Sequence, residues 1–228
     1  MVACESVATT MGATGAGESS GVVSSGAHTM GATIRALRRR AGFSQAAFGS
    51  LIGMHRNYFG VIERGGVPNV GLETVQRIAG GLDVSIAVLA VSYVDPVADG
   101  EPLGRRVDAP ARPTEGWRAS DGARELGRAI RALRLDRELT QAELAEQAAM
   151  HRSHLASIEA GEKPNPGIAT IASIACGLRH GDREPPLLPL LAQTFTGELT
   201  VAELRTTVAA TRPSGSQGAR PFPPGVTP

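Results

Sequence analysis

Apolar residues in this chain recur at intervals of three and four, in short runs separated by Gly or by small polar residues. Ile34, Leu37 and Ala41 share a helical spacing that stops at Gly42, and Ser44 is placed to open a second helix carrying Ala47, Phe48 and Leu51. Gly53 ends that helix. A third begins near His55, with Phe59 and Ile62 as its inward face and Gly65 as a left-handed C-cap. A fourth follows Asn69, with Leu72, Val75, Ile78, Ala79 and Leu82 spaced for burial, and a fifth runs from Asp83 or Val84 to about Val91.

The same series occurs twice. Residues 31–82 align without a gap on residues 127–178, with 22 identities in 52 positions. The matches fall in ordered groups: Ile34 to Arg38 with Ile130 to Arg134, Gln45-Ala46 with Gln141-Ala142, and Met54-His55-Arg56 with Met150-His151-Arg152. Further on, Pro68-Asn69 and Gly71 recur as Pro164-Asn165 and Gly167. Thr140 replaces Ser44 and, with Glu143 three residues on, forms a capping box of which Ser44 and Ala47 keep only half.

The repeat predicts an all-α protein with two tandem domains of four to five helices, 29–94 and 122–192, joined by a flexible linker, 95–121. Residues 1–28 read as a disordered leader and 212–228 as a disordered tail, on their Gly, Ser and Pro content. Within 193–211, Val201, Leu204 and Val208 fall on one face and suggest an extra helix.

Composition narrows the possibilities. Aromatics make up 4% of the chain, so its cores must be built from Leu, Ile, Val and Ala, which suits small helical domains. Cys4 and Cys176 lie too far apart in context to suggest a disulfide framework or a zinc site. No signal-peptide layout or membrane-length apolar run is present, and a cytoplasmic location is expected. The net charge of +1 decides nothing until it is divided. Residues 30–83 hold seven Arg against three acids, whereas residues 126–179 hold six Arg and one Lys against six acids.

The order of elements and the run His55 to Gly65 resemble the phage-repressor (Cro/XRE-type, lambda-repressor-like) helix-turn-helix family, and that run is especially similar to restriction-modification controller proteins. The resemblance covers about half the chain, in two blocks. It implies a transcriptional regulator in which helix three enters the major groove of double-stranded DNA while helix two lies across the backbone. Gly49 and Gly60 inside helices, and His at the start of helix three, depart from the family pattern.

On this reading the outward face of the first copy presents Arg56, Asn57, Gly60 and Val61. Arg forks onto guanine, Asn pairs with adenine, and Val packs on a thymine methyl. Tyr58 faces the DNA backbone. The second copy offers Arg152, Ser153 and Ser157, with His154 in the place of Tyr58, so the two copies read different half-sites. The resemblance has Gln45 and Gln141 reach a phosphate or the first base. His55 and His151 either donate to phosphate or cap their helices. The competing interpretation is a solvated surface position for Arg56 and Arg152 and an ordinary N-terminal helix residue for Gln45 and Gln141. Arg38 with Glu63, and Arg134 with Glu159, read differently: a Glu in the last turn of a helix opposes the macrodipole, so its recurrence calls for a cationic partner from helix one. The resemblance implies the same structural bridge.

Gly17-Glu18-Ser19-Ser20-Gly21 matches the form of a hydrolase nucleophile turn, but its Gly/Ser-rich surroundings make the match compositional. No catalytic constellation, metal site, cofactor site or small-molecule site is legible. The rival function is a protein-interaction module, antitoxin-like or anti-repressor, on the same fold. The roughly 28 residues from 95 to 122 span about 30 Å as a random coil, close to the ~34 Å between successive major-groove faces. One chain can therefore supply both half-sites. The apolar fifth helix of the first copy (Ile86, Val88, Leu89, Val91) also suggests a homodimer through that face.

Overall fold

A computed structural model describes residues 19–94, 118–179 and 186–210, with side chains from residue 25 onward. The leader before Ser19, residues 95–117 of the linker, residues 180–185 and the tail from 211 lie outside the described residues. Those described form helices and no strands, apart from one isolated β-bridge. In the first copy these are α1 Ser19–Arg40, α2 Gln45–Leu51, α3 Arg56–Glu63, α4 Leu72–Gly81 and α5 Ile86–Val94. In the second they are α6 Ala119–Leu135, α7 Gln141–Gln147, α8 Arg152–Glu159, α9 Ile168–Gly177 and α10 Leu187–Thr196. A further helix, α11 Val201–Ala210, lays Leu204 and Val208 on α6 and α10.

Local chemistry sets these boundaries. Ser44 accepts from the Ala47 amide, and Thr140 and Glu143 form the full reciprocal box. Gly42, Gly53 and Gly65 all adopt positive φ where the chain turns back. The second copy makes its first two turns with Glu138 (φ 56°) and Ala149 (φ 49°), a conformation that costs an L-residue about 1–2 kcal/mol. Ala149→Gly is therefore expected to stabilise the chain, by about 0.5–1 kcal/mol net of glycine's unfolded-state entropy. A urea-denaturation midpoint would register the gain.

Helix α1 starts earlier than the leader boundary at residue 28 allows. Packing overrides the weak helix preference of this Gly/Ser-rich stretch. Ala27 and Met30 are buried, and Gly26 lies so close to Tyr93 of α5 that an added Cβ would stand 2.6 Å from the Tyr93 carbonyl. Only Ser19 to Gly21 of the nucleophile-like pentapeptide are described, and they belong to this helix. The spacing of Leu51 is also misleading: Phe48 and Ile52 go inward, while Leu51 is 57% exposed.

The Tyr93 hydroxyl donates to the Pro68 carbonyl at 3.1 Å, and burial pushes its pKa from 10.0 up to about 12. The folded state thus holds this proton more tightly than the unfolded state. Stability is expected to be unaffected by this group below pH 10 and to fall progressively as pH rises toward 12. Tyr93→Phe should flatten that alkaline decline in thermal melts.

The two copies share one continuous hydrophobic core. Each fifth helix packs on its own first helix, α5 on α1 and α10 on α6, and then α5 and α10 pack on each other. The α5 face that suggests a homodimer is thus packed largely within the molecule, with Val88 and Val91 half-buried. Ile86 and Leu89 are fully buried, and the cover comes from inside the molecule, from an α10 whose Leu187, Leu188, Leu191 and Phe195 are buried in the same core. Ser85, just before α5, donates to Glu198, just after α10, at 2.5 Å.

A second junction lies at the starts of the fourth helices. Gly71 and Gly167 form an antiparallel bridge, with the Leu72 amide donating to the Pro166 carbonyl (2.9 Å) and the Ile168 amide to the Val70 carbonyl (2.8 Å). The arrangement repeats under exchange of the copies, as an isologous contact would. Among the described residues no single helix is long and apolar enough to cross a membrane.

Candidate nucleic-acid interface

In each copy a short helix, a tight turn and a second short helix, α2–α3 and α7–α8, are braced by the first helix beneath. In the first copy the brace is aromatic: Phe48 of α2 meets Phe59 of α3 at a ring separation of 5.1 Å, and Phe43 meets Phe48 at 5.8 Å. Leu139, Leu144 and Leu155 hold the equivalent places in the second copy. Gly49 brings α2 against the turn, where an added Cβ would stand 2.8 Å from the Met54 carbonyl.

The C-terminal ends of α3 and α8 are locked inward. Arg38 donates through Nε and Nη2 to the two carboxylate oxygens of Glu63, at 2.6 and 3.2 Å, and through Nη1 to the Phe43 carbonyl at 2.5 Å. Arg134 does the same to Glu159, at 2.7 and 3.0 Å, and to the Leu139 carbonyl at 2.8 Å. All four side chains are almost fully buried. Each bridge therefore binds three pieces of chain: the first helix, the loop after it and the end of the third helix.

The N-terminal ends of the same helices face outward. His55, Arg56, Asn57 and Tyr58 are exposed, as are His151, Arg152, Ser153 and His154, while Val61 and Ser157 are half-buried. Of the two roles open to the histidines, the structure shows capping. His55 Nδ1 accepts from the Asn57 amide at 3.2 Å, and His151 Nδ1 accepts from the Ser153 amide at 3.3 Å while meeting its hydroxyl at 2.6 Å. Ser157 donates to the His154 carbonyl at 2.9 Å.

Gln45 and Gln141 lie between the exposed and buried zones. Each donates its amide nitrogen to the bridge carboxylate, Gln45 to Glu63 at 2.6 Å and Gln141 to Glu159 at 2.9 Å. They are half-buried, so the start of the second helix is tied to the end of the third. Gly60 is buried rather than outward-facing. Its missing side chain leaves room for the Arg64 guanidinium, which comes within 3.3 Å of where a Cβ would stand, beside Gln45. Arg64 is thus an exposed cation at the same face that sequence spacing did not single out. Its counterpart is Ala160, so the charge belongs to the first copy alone. Among the described residues no group of three or more His, Cys, Asp or Glu is placed to hold a metal ion.

This geometry is that of a Cro/XRE-like helix-turn-helix unit built twice into one chain. A family model described as a helix-turn-helix domain matches residues 29–91 and again residues 125–185, more than half of the chain, and the protein belongs to that family. It is similar to the immunity repressor protein of Bacillus phage phi105, with 43% identity over 53 residues, 23% of this chain and 36% of that repressor. The chain therefore spans only about a third of that relative's length. No solved structure gives a significant match.

Proposed function

We propose that this protein is a transcriptional regulator that binds double-stranded DNA sequence-specifically as a single chain, α3 and α8 each reading one half-site. One observation carries the reading: both third helices present their N-terminal residues to solvent while a buried Arg–Glu bridge anchors their C-terminal ends. Arg56 and Arg152 fork onto guanine, Asn57 onto adenine and Val61 against a thymine methyl, and Ser153 and Ser157 take the corresponding places in the second copy. Gln45 and Gln141 reach a phosphate or the first base, while Tyr58 and the Nε2 edges of His55 and His151, whose Nδ1 atoms cap the helices, meet phosphates. The repressor relative and the surplus of arginine in the first copy support this assignment, and no catalytic role is part of it. Its compartment is the one that holds the DNA.

Selection of duplexes from a random pool, followed by binding across a salt series, tests it. One chain per duplex is expected, with affinity falling steeply as salt rises. A protein that retains no duplex at low ionic strength would refute the proposal. The near-neutral charge of the second copy favours a rival reading in which that half binds another protein; a complex that survives high salt and excludes DNA would establish it.

A further inference from the structure

The recurring Pro-Asn-x-Gly segment, 68–71 and 164–167, has no part in the reading of DNA above, yet it makes the most directional contacts between the copies. A helix leaves its first amides unsatisfied, and the residue before the helix normally supplies a side-chain acceptor. At α4 and α9 that residue is Gly71 or Gly167, and neither provides a side-chain cap. The acceptor arrives from the other copy. Asn165 Oδ1 accepts from the Glu73 amide of α4 at 3.0 Å, and Asn69 Oδ1 accepts from the Ala169 amide of α9 at 3.0 Å. Asn69 also donates through Nδ2 to the Thr170 hydroxyl at 3.2 Å. A Cβ on either glycine would collide with the visiting asparagine, Asn165 at Gly71 and Asn69 at Gly167. Each copy thus lacks its own cap, holds the space open and receives the cap from its counterpart.

We infer that Asn69 and Asn165 are positioning residues that fix the angle and distance between the two DNA-reading helices, so that the chain accepts one half-site spacing only. This inference rests on the DNA-binding reading proposed above. The α5–α10 contact is apolar apart from the Ser85–Glu198 hydrogen bond at its edge, and non-directional burial tolerates small adjustments of angle. Hydrogen bonds with backbone partners on both sides of a two-fold-like junction do not. Two domains held only by a linker would follow their half-sites through a change of spacing; two domains clasped at these bonds cannot.

The experiment uses the full-length chain and duplexes that the wild-type protein selects from a random pool, rebuilt with one to five extra base pairs between the half-sites. Each added pair rotates the second half-site by about 34° and moves it about 3.4 Å. Wild type is expected to lose about tenfold or more in affinity at the first insertion, the equivalent of one forked base contact. Asn69→Ala with Asn165→Ala removes the side-chain bonds of the clasp, leaving the backbone bonds of the Gly71–Gly167 bridge, but also uncaps α4 and α9. A second variant therefore adds Gly71→Ser and Gly167→Ser, which restores a cap within each copy while the asparagine bonds between copies stay broken. Both variants are expected to bind the first-insertion duplex within about threefold of the original spacing. A purely structural role for the asparagines would let the serine-capped variant recover the sharp spacing preference of wild type, and that result would overturn the inference. Equal binding of all spacings by wild type would also overturn it. Failure of wild type to select any duplex would refute the functional reading itself.

Discussion

Glu63→Ala is expected to destabilise the protein by about 3–5 kcal/mol, a large fraction of the stability of an ordinary domain. The substitution removes more than one ion pair. Glu63 accepts from Arg38 twice and from Gln45, and the Arg35 guanidinium donates to its backbone carbonyl at 3.2 Å. Without the carboxylate, the Arg38 guanidinium stays buried with only the Phe43 carbonyl as partner among the described residues. An uncompensated buried charge is among the most destabilising features a core can contain. Glu159→Ala should act alike on the second copy through Arg134. Replacing both partners of one bridge by apolar residues of similar volume should cost far less than either single change, because no charge is then stranded. Chemical denaturation of the single and double variants would show this non-additivity. Equal, additive losses of less than 1 kcal/mol would mean that the bridges act as exposed surface pairs.

Arg56→Ala should leave the fold intact and change what the protein reads. The side chain is exposed, so its loss removes no core contact. On the proposed function it should abolish the preference for one base in one half-site, by about 1–3 kcal/mol, or roughly 5- to 150-fold. Arg56→Lys should recover part of the overall affinity but not the base preference, because an ammonium keeps the charge without the planar fork. Arg152→Ala should produce the matching loss in the other half-site. The check is competition among duplexes varied one position at a time. A uniform loss at every position would reassign Arg56 from base reading to phosphate binding.

Much of this architecture is legible in the sequence because the duplication displays each signal twice. The Arg–Glu bridges stand out for that reason: a glutamate that opposes its own helix dipole could be an accident once, but its return 96 positions later with the same arginine spacing requires a partner. Caps at Ser44 and Thr140 and turns at Gly42, Gly53 and Gly65 follow from local chemistry alone. What escapes is what depends on tertiary contact. Helix α10 begins nine residues after Leu178, whereas α5 begins four after Leu82, so it falls out of the repeat register and its pairing with α5 is hidden. The extension of α1 back through Gly26 and Ala27 goes with packing on Tyr93 rather than with helix preference. The Arg64 guanidinium lies over the space above Gly60, and no periodicity encodes that. The asparagines recur plainly in the sequence, but each acts on a helix about a hundred residues away, and a single copy gives no hint of it.

The pairing of α5 with α10 inside one polypeptide changes the population biology of such a molecule as well as its shape. Repressors that pair as separate subunits trade partners, so a damaged allele poisons the products of an intact one and occupancy depends on the square of a scarce monomer. Here two helix-turn-helix units are already paired within one polypeptide. On the proposed function, occupancy would follow the first power of concentration, defective molecules would not be mixed into sound ones, and either half could drift toward a new target while the other kept the old.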